Sequence, residues 1–422
     1  MIVDIAENRN VLYISYYYPP MGLSGVQRTF KFTKYLPDSK WFPYVLSTQA
    51  NNYYAYDDNL LAELPDSVKV FRTESKASAR QTNPFPNYLF QKFGRYFLSF
   101  FNVPDTKIKW RKKALALAES IIAENNIDVI MGTAPPFTDF LLAYELSKKY
   151  DIPFVIDYRD IWVDNPYHYY PTPYHKNKNT QLEHEILAHS ERIIVTTRFS
   201  KETLLRRYKF LNHADVMIIP HGYDSEDFER VSPEKRNDGK FVITHSGLFQ
   251  DDRTPKFFLK ALSSFLKSNP AAKEKIEIRF VGLMRPSHAK LIRKFKLEDN
   301  CKLFGYVTHS ESIRHILDSD VLWLMMKDNV RSPGKLYEYL GAHKPIFINS
   351  PEGNMRQLAK DTGAAFVCDA DDVALIESSF REMYDLWTND KLPVPKKEFI
   401  AQFDRKNLTS LLAKELALAC KY

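Results

Sequence analysis

The sequence predicts an α/β protein of two doubly wound domains, and three observations lead to that prediction. The chain has 422 residues, a length that suits two domains of ordinary size. Short apolar runs alternate with longer stretches of helical periodicity, as expected for parallel strands joined by crossover helices. The alternation stops in a charged segment of weak periodicity, residues 223–240, and then begins again. Two such series predict two parallel sheets that face an interdomain cleft.

The strand candidates are short apolar runs. In the first series they are Val11–Tyr16, Tyr44–Ser47, Val68–Thr73, Val129–Gly132, Phe154–Asp157 and Arg192–Thr196. In the second series they are Phe241–Ser246, Ile276–Val281, Cys301–Phe304, Val321–Met325, Pro345–Asn349 and Ala365–Cys368. Helical spacing predicts helices over Lys112–Asn125, Phe137–Tyr150 and Thr180–His189. We place the domains at residues 1–222 and 223–394, and expect residues 395–422 to form a helix that packs back on the first domain.

Composition narrows the classes of function. Hydrophobic residues make up 44% and charged residues 26%, so the chain can bury sizeable cores and is not of a disordered or fibrous class. The net charge of +7 is weaker than a nucleic-acid-binding protein of this length usually carries, so no nucleic-acid partner is expected. Three cysteines far apart, Cys301, Cys368 and Cys420, favour a reducing compartment. A polar N-terminus and the lack of a long apolar run predict a cytoplasmic protein.

The most informative loop follows the strand candidate Val321–Met325, because doubly wound domains bind ligands where strands end. We expect a helix to begin at Ser332, a preferred N-cap residue, with Pro333 at the first helical position. Lys335 then lies in the first turn, where the helix dipole disfavours a cation unless an anion such as phosphate binds. Glu338 lies one turn further on the same side, where it can bind sugar hydroxyls. The alternative is an exposed ion pair on an ordinary helix.

Two further loops contain glycine after a strand candidate. In THSGLFQDDR, Gly247 permits close backbone approach and Arg253 can reach a diphosphate, although an ordinary surface arginine fits as well. In YYYPPMGLSGVQR, Gly22 and Gly25 form an open loop before a helix that begins near Val26. This loop has neither the dinucleotide spacing nor the P-loop lysine, so a plain strand–loop–helix connection is the alternative.

A third loop, VIDYRDIW, places three charged residues directly after an apolar strand candidate: Asp157, Arg159 and Asp160. A carboxylate at a strand end can accept hydrogen bonds from a substrate hydroxyl or act as a base. An internal Arg–Asp salt bridge that shapes the loop fits the sequence equally well.

Seven segments, taken in order, resemble the retaining glycosyltransferases of family 4, which have the GT-B fold of two Rossmann-like domains. The segments are YYPPMGLSG, DVIMGTAPPF, FVIDYRDIW, IIPHGYDSEDF, HSGLFQDDR, LFGYVTHSE and SPGKLYEYLGAHKP. The resemblance implies a hexosyltransferase type of enzyme that needs no cofactor and no metal. It would transfer a sugar, with retained configuration, from a nucleotide-diphosphate sugar to a glycan or lipid-linked acceptor, in cell-surface polysaccharide biosynthesis.

The resemblance also implies roles for single residues. Arg253 and Lys335 would neutralise the donor diphosphate, and Glu338 would hold the ribose. Further donor-binding positions are Gly22, Gly25, Gly247, Tyr306, Val307, Ser332 and Gly334. Either Asp157 or Asp160 would lie on the acceptor side.

The sequence departs from the family pattern at one position. Many members carry two glutamates separated by seven residues, the second being the ribose ligand, but Val330 stands eight positions before Glu338. Because of Val330, a non-catalytic nucleotide-sugar-binding module is one alternative function. A nucleotide-sugar 2-epimerase on the same fold is another. A nicotinamide dehydrogenase is disfavoured, since no dinucleotide glycine fingerprint follows the first strand.

A basic and aromatic segment, residues 69–113, holds eleven Lys or Arg against two acidic residues. In a helix, five of its apolar side chains would share one face: Leu89, Phe93, Tyr96, Phe97 and Phe100. Such a combination is typical of helices that bind an anionic membrane surface, while packing into the first core is the alternative. We therefore expect peripheral association with the inner face of the cell membrane.

Overall fold

The structure, a computed structural model, describes residues 7–22, 24–49, 56–74, 98–233, 236–249 and 253–420. It divides into two compact units, residues 1–220 with 405–422 and residues 221–404, called here the first and second units. The division after Pro220 lies two residues before the boundary expected from the sequence. The predicted linker contains a short helix, Ser225–Glu229, which belongs to the second unit.

The first unit is built on a seven-stranded parallel sheet. Its strands are β1 (Arg9–Ile14), β2 (Trp41–Thr48), β3 (Lys69–Thr73), β4 (Val129–Ala134), β5 (Phe154–Tyr158), β6 (Arg192–Val195) and β7 (Val216–Ile218). They lie in the order β3-β2-β1-β4-β5-β6-β7, so the chain moves outward from β1 in both directions. This is the doubly wound arrangement.

The second unit repeats this arrangement with a six-stranded parallel sheet. Its strands are β8 (Phe241–Ser246), β9 (Ile276–Val281), β10 (Cys301–Gly305), β11 (Val321–Met325), β12 (Ile346–Asn349) and β13 (Ala365–Cys368). They lie in the order β10-β9-β8-β11-β12-β13. The predicted fold class, two doubly wound parallel sheets, is thereby confirmed.

Helices connect the strands and cover the sheets. They are α1 (Ser24–Tyr35), α2 (Arg111–Glu124), α3 (Thr138–Tyr150), α4 (Pro173–His189), α5 (Arg198–Arg207), α6 (Ser225–Glu229), α7 (Lys256–Ser268), α8 (Pro286–Lys294), α9 (His309–Leu317), α10 (Gly334–Gly341), α11 (Asn354–Asp361), α12 (Val373–Thr388), α13 (Lys397–Ala401) and α14 (Arg405–Ala419). Short 3-10 turns lie at Leu36–Ser39, Asp58–Glu63, Ile108–Trp110 and Pro270–Ala272.

Helix α14 is part of the first unit although it follows the second unit in the chain. Successive side chains of β1 point to opposite faces of the sheet. Val11 and Tyr13 pack in one core with Leu408 and Leu412 of α14. Leu12 and Ile14 pack in the other core, which includes side chains of α2 and α3. The central strand is therefore apolar on both faces because helices cover both sides.

Two details differ from the sequence prediction. Strand β7, Val216–Ile218, is not predicted, because a run of three residues is too short to show a period. Helix α4 begins at Pro173, seven residues before the predicted start at Thr180. Pro173 lies at the start of the helix, where proline fits because its missing N–H would have no helical partner.

A buried carboxyl group lies between α4 and its neighbours. Glu183 is 1% exposed, and its two carboxylate oxygens accept hydrogen bonds from the hydroxyls of Tyr158 at 3.0 Å and Tyr208 at 2.7 Å. Burial raises the pKa of Glu183 to about 7, although the two tyrosine hydroxyls oppose the shift. The folded protein therefore holds this proton to a higher pH than the unfolded chain does.

The raised pKa predicts that stability falls as the pH rises. The contribution of Glu183 is fully present below its unfolded pKa and is lost as the pH passes through about 7. Between pH 5 and pH 8 this loss amounts to about 2 kcal/mol. Scanning calorimetry should show that Glu183→Gln reduces the pH dependence of the melting temperature. Glu185→Gln, an exposed position on the same helix, serves as the control. An unchanged pH dependence in Glu183→Gln would contradict the prediction.

Candidate functional site

The second unit places Lys335, one of the two predicted diphosphate ligands, at the start of α10. The helix starts at Gly334, with Pro333 as its N-cap residue, so the predicted N-cap at Ser332 is wrong by one position. The residue before a proline is restricted to extended conformations, and Pro333 itself is extended, with ψ of 125°. Lys335 is still in the first turn. Ser332, Pro333 and Gly334 are each partly exposed, so this helix end is open to solvent.

Lys335 and Glu338 form a close ion pair on the first turn of α10. Their Nζ and Oε2 atoms lie 2.7 Å apart, and the two side chains are 25% and 11% exposed. The aliphatic part of Lys335 passes over Gly247, where an added Cβ would lie 3.8 Å from Lys335 Cγ. Gly247 has a φ of 137°, a conformation that other residues rarely adopt, so this turn after β8 requires glycine.

Tyr339 fixes α10 to the carboxyl end of β8. Its buried hydroxyl accepts a hydrogen bond of 2.7 Å from the backbone N–H of Ser246. Because Tyr339 lies one turn after Lys335, this bond holds the first turn of α10 against the loop that begins at Gly247. The sequence analysis does not identify Tyr339, because nothing in the sequence distinguishes a tyrosine inside a helix from an ordinary core residue.

The charges of Arg253 and Lys335 both act on one buried side chain, His245. The pKa of His245 is lowered to about 3, mainly by burial; the bond to the Trp323 carbonyl opposes the shift, and the charges of Arg253 and Lys335 contribute to it. The imidazole is therefore neutral at physiological pH. Its ring stacks on Phe249 with centroids 4.2 Å apart. Arg253 and Lys335, the two cations predicted to bind one diphosphate, thus both lie near enough to His245 for their charges to lower its pKa.

Two other positions of the predicted donor site lie after β10. Tyr306 is 41% exposed and Val307 is partly exposed, beyond Gly305 with its φ of 70°. Close to them in the chain, His309 Nε2 lies 3.0 Å from Asp227 Oδ2. Burial disfavours the charged imidazole, yet the bond and charge of Asp227 raise the pKa of His309.

The loop that carries Val330 has an acidic residue at another position. The carboxylate of Asp328 accepts hydrogen bonds from the N–H of Val330 at 3.1 Å and from Arg331 Nε at 2.9 Å. Asp328 therefore shapes the loop between β11 and α10. The sequence analysis, which considers only position 330, does not identify this residue.

In the first unit, Asp157 lies inside the protein. It is 0% exposed, and Arg28 donates to both carboxylate oxygens at 2.9 and 2.8 Å, while the Thr133 hydroxyl donates at 3.1 Å. The same guanidinium donates to the carbonyls of Ile219 and Pro220. These bonds enclose the carboxylate and support a structural role for Asp157, while its acceptor-side role stays a prediction.

Arg159 holds the start of α1. Its guanidinium donates to the carbonyls of Gly25 and Pro135, and so connects the first turn of α1 with the loops that follow β4 and β5. Gly25 thus belongs to α1, which begins at Ser24 and not near Val26 as predicted. Gly25 is exposed, whereas Gly22 is buried. The salt-bridge alternative for VIDYRDIW therefore holds for Asp157, but with Arg28 as the partner in place of Arg159.

Asp160, in contrast, lines a cavity of about 460 Å³ at the carboxyl edge of the first sheet. Other lining residues are Tyr17, Asp105, Lys107, Phe137, Tyr167 and His168. The ring of Phe137 stacks on His168 with centroids 5.8 Å apart. Asp105 accepts from the N–H and hydroxyl of Thr138, both at 2.9 Å, which fixes one wall to the start of α3. Sequence motifs identify Asp160 but not the partners, which come from separate loops.

Much of the proposed membrane segment lies outside the described residues. Of residues 69–113, residues 75–97 are not described, and these include Leu89, Phe93, Tyr96 and Phe97. At the described end, Leu98, Phe100 and Phe101 are 47%, 47% and 68% exposed. Among the helices that the structure describes, none is long and apolar enough to span a bilayer.

Two family profiles match consecutive parts of the chain. "Glycosyltransferase Family 4" matches residues 59–227, and "Glycosyl transferases group 1" matches residues 225–393. No curated protein matches the chain by sequence.

Solved structures are similar over nearly the whole chain. Sucrose-phosphate synthase from Thermosynechococcus elongatus has a TM-score of 0.66 at 12% identity, covering 96% of this chain and 98% of its own. Anabaena HepE in complex with UDP and glucose has a TM-score of 0.65 at 12% identity, with coverages of 96% and 98%. A UDP-N-acetylglucosamine 2-epimerase assigned in Listeria monocytogenes has a TM-score of 0.59 at 12% identity, covering 96% and 95%. At these identities the similarity concerns the fold.

Two doubly wound parallel sheets, together with these matches, define a glycosyltransferase of the GT-B fold. Within that class, the chain belongs to the family 4, group 1 glycosyltransferases.

Lys335→Ala should abolish sugar transfer while leaving the fold intact. The change removes a cation beside the helix end, and the loss of one such stabilising group lowers turnover by at least about 100-fold. The variant should also lose the thermal stabilisation that a nucleoside diphosphate gives the wild type. Lys267→Ala, an exposed lysine on α7, is the control. A Lys335→Ala protein with a wild-type ligand-induced shift in melting temperature would contradict the assignment.

Proposed function

We propose that this protein is a retaining, metal-independent glycosyltransferase that uses a nucleotide-diphosphate sugar as donor. The observation that carries the proposal is the open end of α10, where Lys335 lies over Gly247. The charges of Lys335 and Arg253 both act on the same buried side chain, His245. A helix N-terminus with two cations is an anion site. In this proposal Lys335 and Arg253 supply the positive charge that a divalent cation supplies in other transferases.

In the proposed reaction, the acceptor hydroxyl oxygen forms a bond to the anomeric carbon of the donor sugar. The bond from that carbon to the diphosphate oxygen breaks, and its electron pair leaves with the nucleoside diphosphate, which takes up the hydroxyl proton. Negative charge gathers on the leaving group as the sugar becomes oxocarbenium-like. Lys335, Arg253 and the amides near Gly334 would stabilise that charge, since they are already oriented before the reaction.

Glu338 can bind the ribose without breaking its ion pair with Lys335. The lysine ammonium carries three N–H donors, and the bond to Glu338 Oε2 uses one of them. Two donors remain for phosphate oxygens. The carboxylate keeps a second oxygen for a ribose hydroxyl, and the backbone at Tyr306 and Val307 would face the base.

A UDP-sugar is the proposed donor. The support is the similar structure of HepE, which holds UDP and glucose, and another HepE structure that holds UDP-glucose. On the acceptor side, Asp160 takes the role, since it lines a cavity whereas Asp157 is enclosed. We propose that the sugar is transferred to a glycan or lipid-linked acceptor and that the enzyme acts in cell-surface polysaccharide biosynthesis.

The proposal predicts that UDP stabilises the protein more than GDP or ADP does. At 100 times its dissociation constant a ligand raises stability by about 2.7 kcal/mol, which a thermal-shift measurement resolves. Incubation with a UDP-sugar alone should leave its sugar unchanged, and product NMR with an acceptor should show retained anomeric configuration. If none of the three nucleotides raised the melting temperature, the proposed donor site would be contradicted. Appearance of a 2-epimer would instead favour the isomerase suggested by the Listeria structure.

We also propose peripheral binding to an anionic membrane, supported by the exposed lysines Lys109, Lys112 and Lys113 in the described part of residues 69–113. Each lysine near such a surface contributes about 1 kcal/mol. Because Lys113 Nζ also donates to the Glu74 carbonyl, Lys109 and Lys112 are the better positions to change.

Co-sedimentation with phosphatidylglycerol vesicles at moderate salt should therefore retain the protein, and uncharged phosphatidylcholine vesicles should not. The double variant Lys109→Glu with Lys112→Glu should lower the bound fraction severalfold. The double variant Lys260→Glu with Lys267→Glu, at two exposed positions of α7 in the second unit, is the matched charge change. Equal binding to both vesicle types would remove the electrostatic proposal.

A further inference from the structure

Lys107 brings a cation to the first-unit cavity. It is partly buried and lines the cavity together with Asp105 and Asp160. Its Nζ atom remains accessible to solvent. The ammonium carries three N–H donors. Among the residues that the structure describes, none accepts a hydrogen bond from Lys107 Nζ, and no carboxylate lies within ion-pair distance of it.

Two tyrosine rings orient this ammonium. Lys107 Nζ lies 4.8 Å from the ring centroid of Tyr16 and 5.8 Å from that of Tyr17, so both rings provide cation–π contacts. The rings pack edge to face, with centroids 5.0 Å apart. Tyr16 is fixed in turn, because its backbone N–H donates at 2.9 Å to the buried carboxylate of Asp139. The rings contribute π faces, so the N–H donors of Lys107 are left for a ligand.

The backbone at Lys107 is held by neighbouring residues. Its N–H donates to Asp105 Oδ1 at 2.8 Å, and its carbonyl accepts from the N–H of Trp110 at 2.8 Å. The indole of Trp110 is buried and donates to the hydroxyl of Thr73, at the end of β3, at 2.8 Å. These bonds attach the segment around Lys107 to the first sheet and fix its position beside the cavity.

The carboxylate of Asp105 does not neutralise this ammonium by direct contact. Its oxygens accept from the Lys107 N–H at 2.8 Å and from the N–H and hydroxyl of Thr138, both at 2.9 Å. Burial lowers the pKa of Lys107, and the charge of Asp105 opposes this shift. Desolvation is the larger effect, so the protein compensates the charge of Lys107 incompletely. A ligand with a negative charge would complete the compensation.

We propose that the acceptor is a sugar acid whose carboxylate forms an ion pair with Lys107 in this cavity. The inference rests on the proposed function and makes its acceptor more specific. The cavity volume of about 460 Å³ is typical of sites for small molecules. Asp160, which lines the cavity from another loop, can accept hydrogen bonds from the hydroxyls of the same sugar.

The charges around the cavity favour a carboxylate over a phosphate. A phosphate monoester carries a charge of about −1.5 to −2 at neutral pH, whereas a carboxylate carries a single negative charge. Asp105 and Asp160 already bring negative charge to the cavity wall, and Lys107 is the one ammonium among its described lining residues. His168 adds no charge, because burial lowers the pKa of its imidazole. A second negative charge on the ligand would therefore be repelled and would have no partner.

The test compares sugar acids with neutral sugars by saturation-transfer NMR on the full chain. The probes are the methyl glycosides of D-glucuronate, D-galacturonate and D-mannuronate, each paired with the methyl glycoside of its neutral hexose. At least one acid should bind about tenfold more tightly than its neutral partner, because hydrogen bonds to charged groups are stronger than neutral ones. If all three acids bind no more tightly than their neutral partners, the proposal is overturned.

Three variants test whether Lys107 is the source of this preference. Lys107→Met keeps an aliphatic side chain over the tyrosine rings but removes the ammonium, so the tenfold preference for the acid should disappear. Lys107→Arg keeps a cation and should keep the preference. Lys109→Met removes an exposed lysine two residues further along the chain and is the control. A Lys107→Met protein that retains the wild-type preference would contradict the assignment.

A phosphorylated probe and UDP distinguish the other outcomes. Methyl glucoside 6-phosphate should bind more weakly than the tightest-binding acid, and tighter binding of the phosphate would overturn the choice of a carboxylate. UDP stabilisation, measured on the wild type and every variant, reports on the proposed donor site separately. A wild-type protein that UDP stabilises, but that binds none of the sugars, would overturn the acceptor cavity alone. A wild-type protein that prefers the acid without being stabilised by UDP would support this inference and contradict the donor site.

Discussion

The hydrogen bond from the Ser246 amide to the Tyr339 hydroxyl is the constraint on which the proposed donor site depends. It joins the end of β8 to the second turn of α10. In the turn before it, Lys335 lies over Gly247 and Glu338 is paired with Lys335. A shift of α10 by one turn would move its first residues by about 5.4 Å and separate the lysine from the turn after β8.

The two units use the same topology for different purposes. In the second unit, Ser332 and Lys335 are partly exposed at the open end of α10. In the first unit, Arg28, Asp157 and Arg159 form hydrogen bonds within the protein. The bonds of Arg159 join the start of α1 to the loop after β4. That internal network leaves Asp160 as the carboxylate of the VIDYRDIW loop that reaches a cavity. Rigid loops around this cavity are what selective binding of a sugar requires.

Local patterns predicted the fold well, because strand and helix periods are properties of neighbouring residues. The exceptions have local causes, such as the three-residue strand β7 and the restriction that Pro333 places on Ser332. The proposed donor-binding residues Lys335 and Glu338 could be picked out from the sequence for the same reason, since they lie on one turn of one helix. Residue pairs that are distant in the sequence could not be predicted in this way. Arg28 and Asp157 are 129 positions apart, and no spacing rule relates them. The cavity likewise combines loops that only the tertiary structure brings together.

The position of α14 has a consequence for biosynthesis. This helix covers one face of the first sheet, and its Leu408, Leu412 and Leu416 are almost completely buried there. On the ribosome, however, the sheet emerges early and α14 emerges after the entire second unit. Until then Val11 and Tyr13 lack the part of their cover that α14 supplies, and exposed apolar surface of this kind favours aggregation. A fragment ending at Pro220 would lack α14 and therefore the part of this core that Leu408, Leu412 and Leu416 supply.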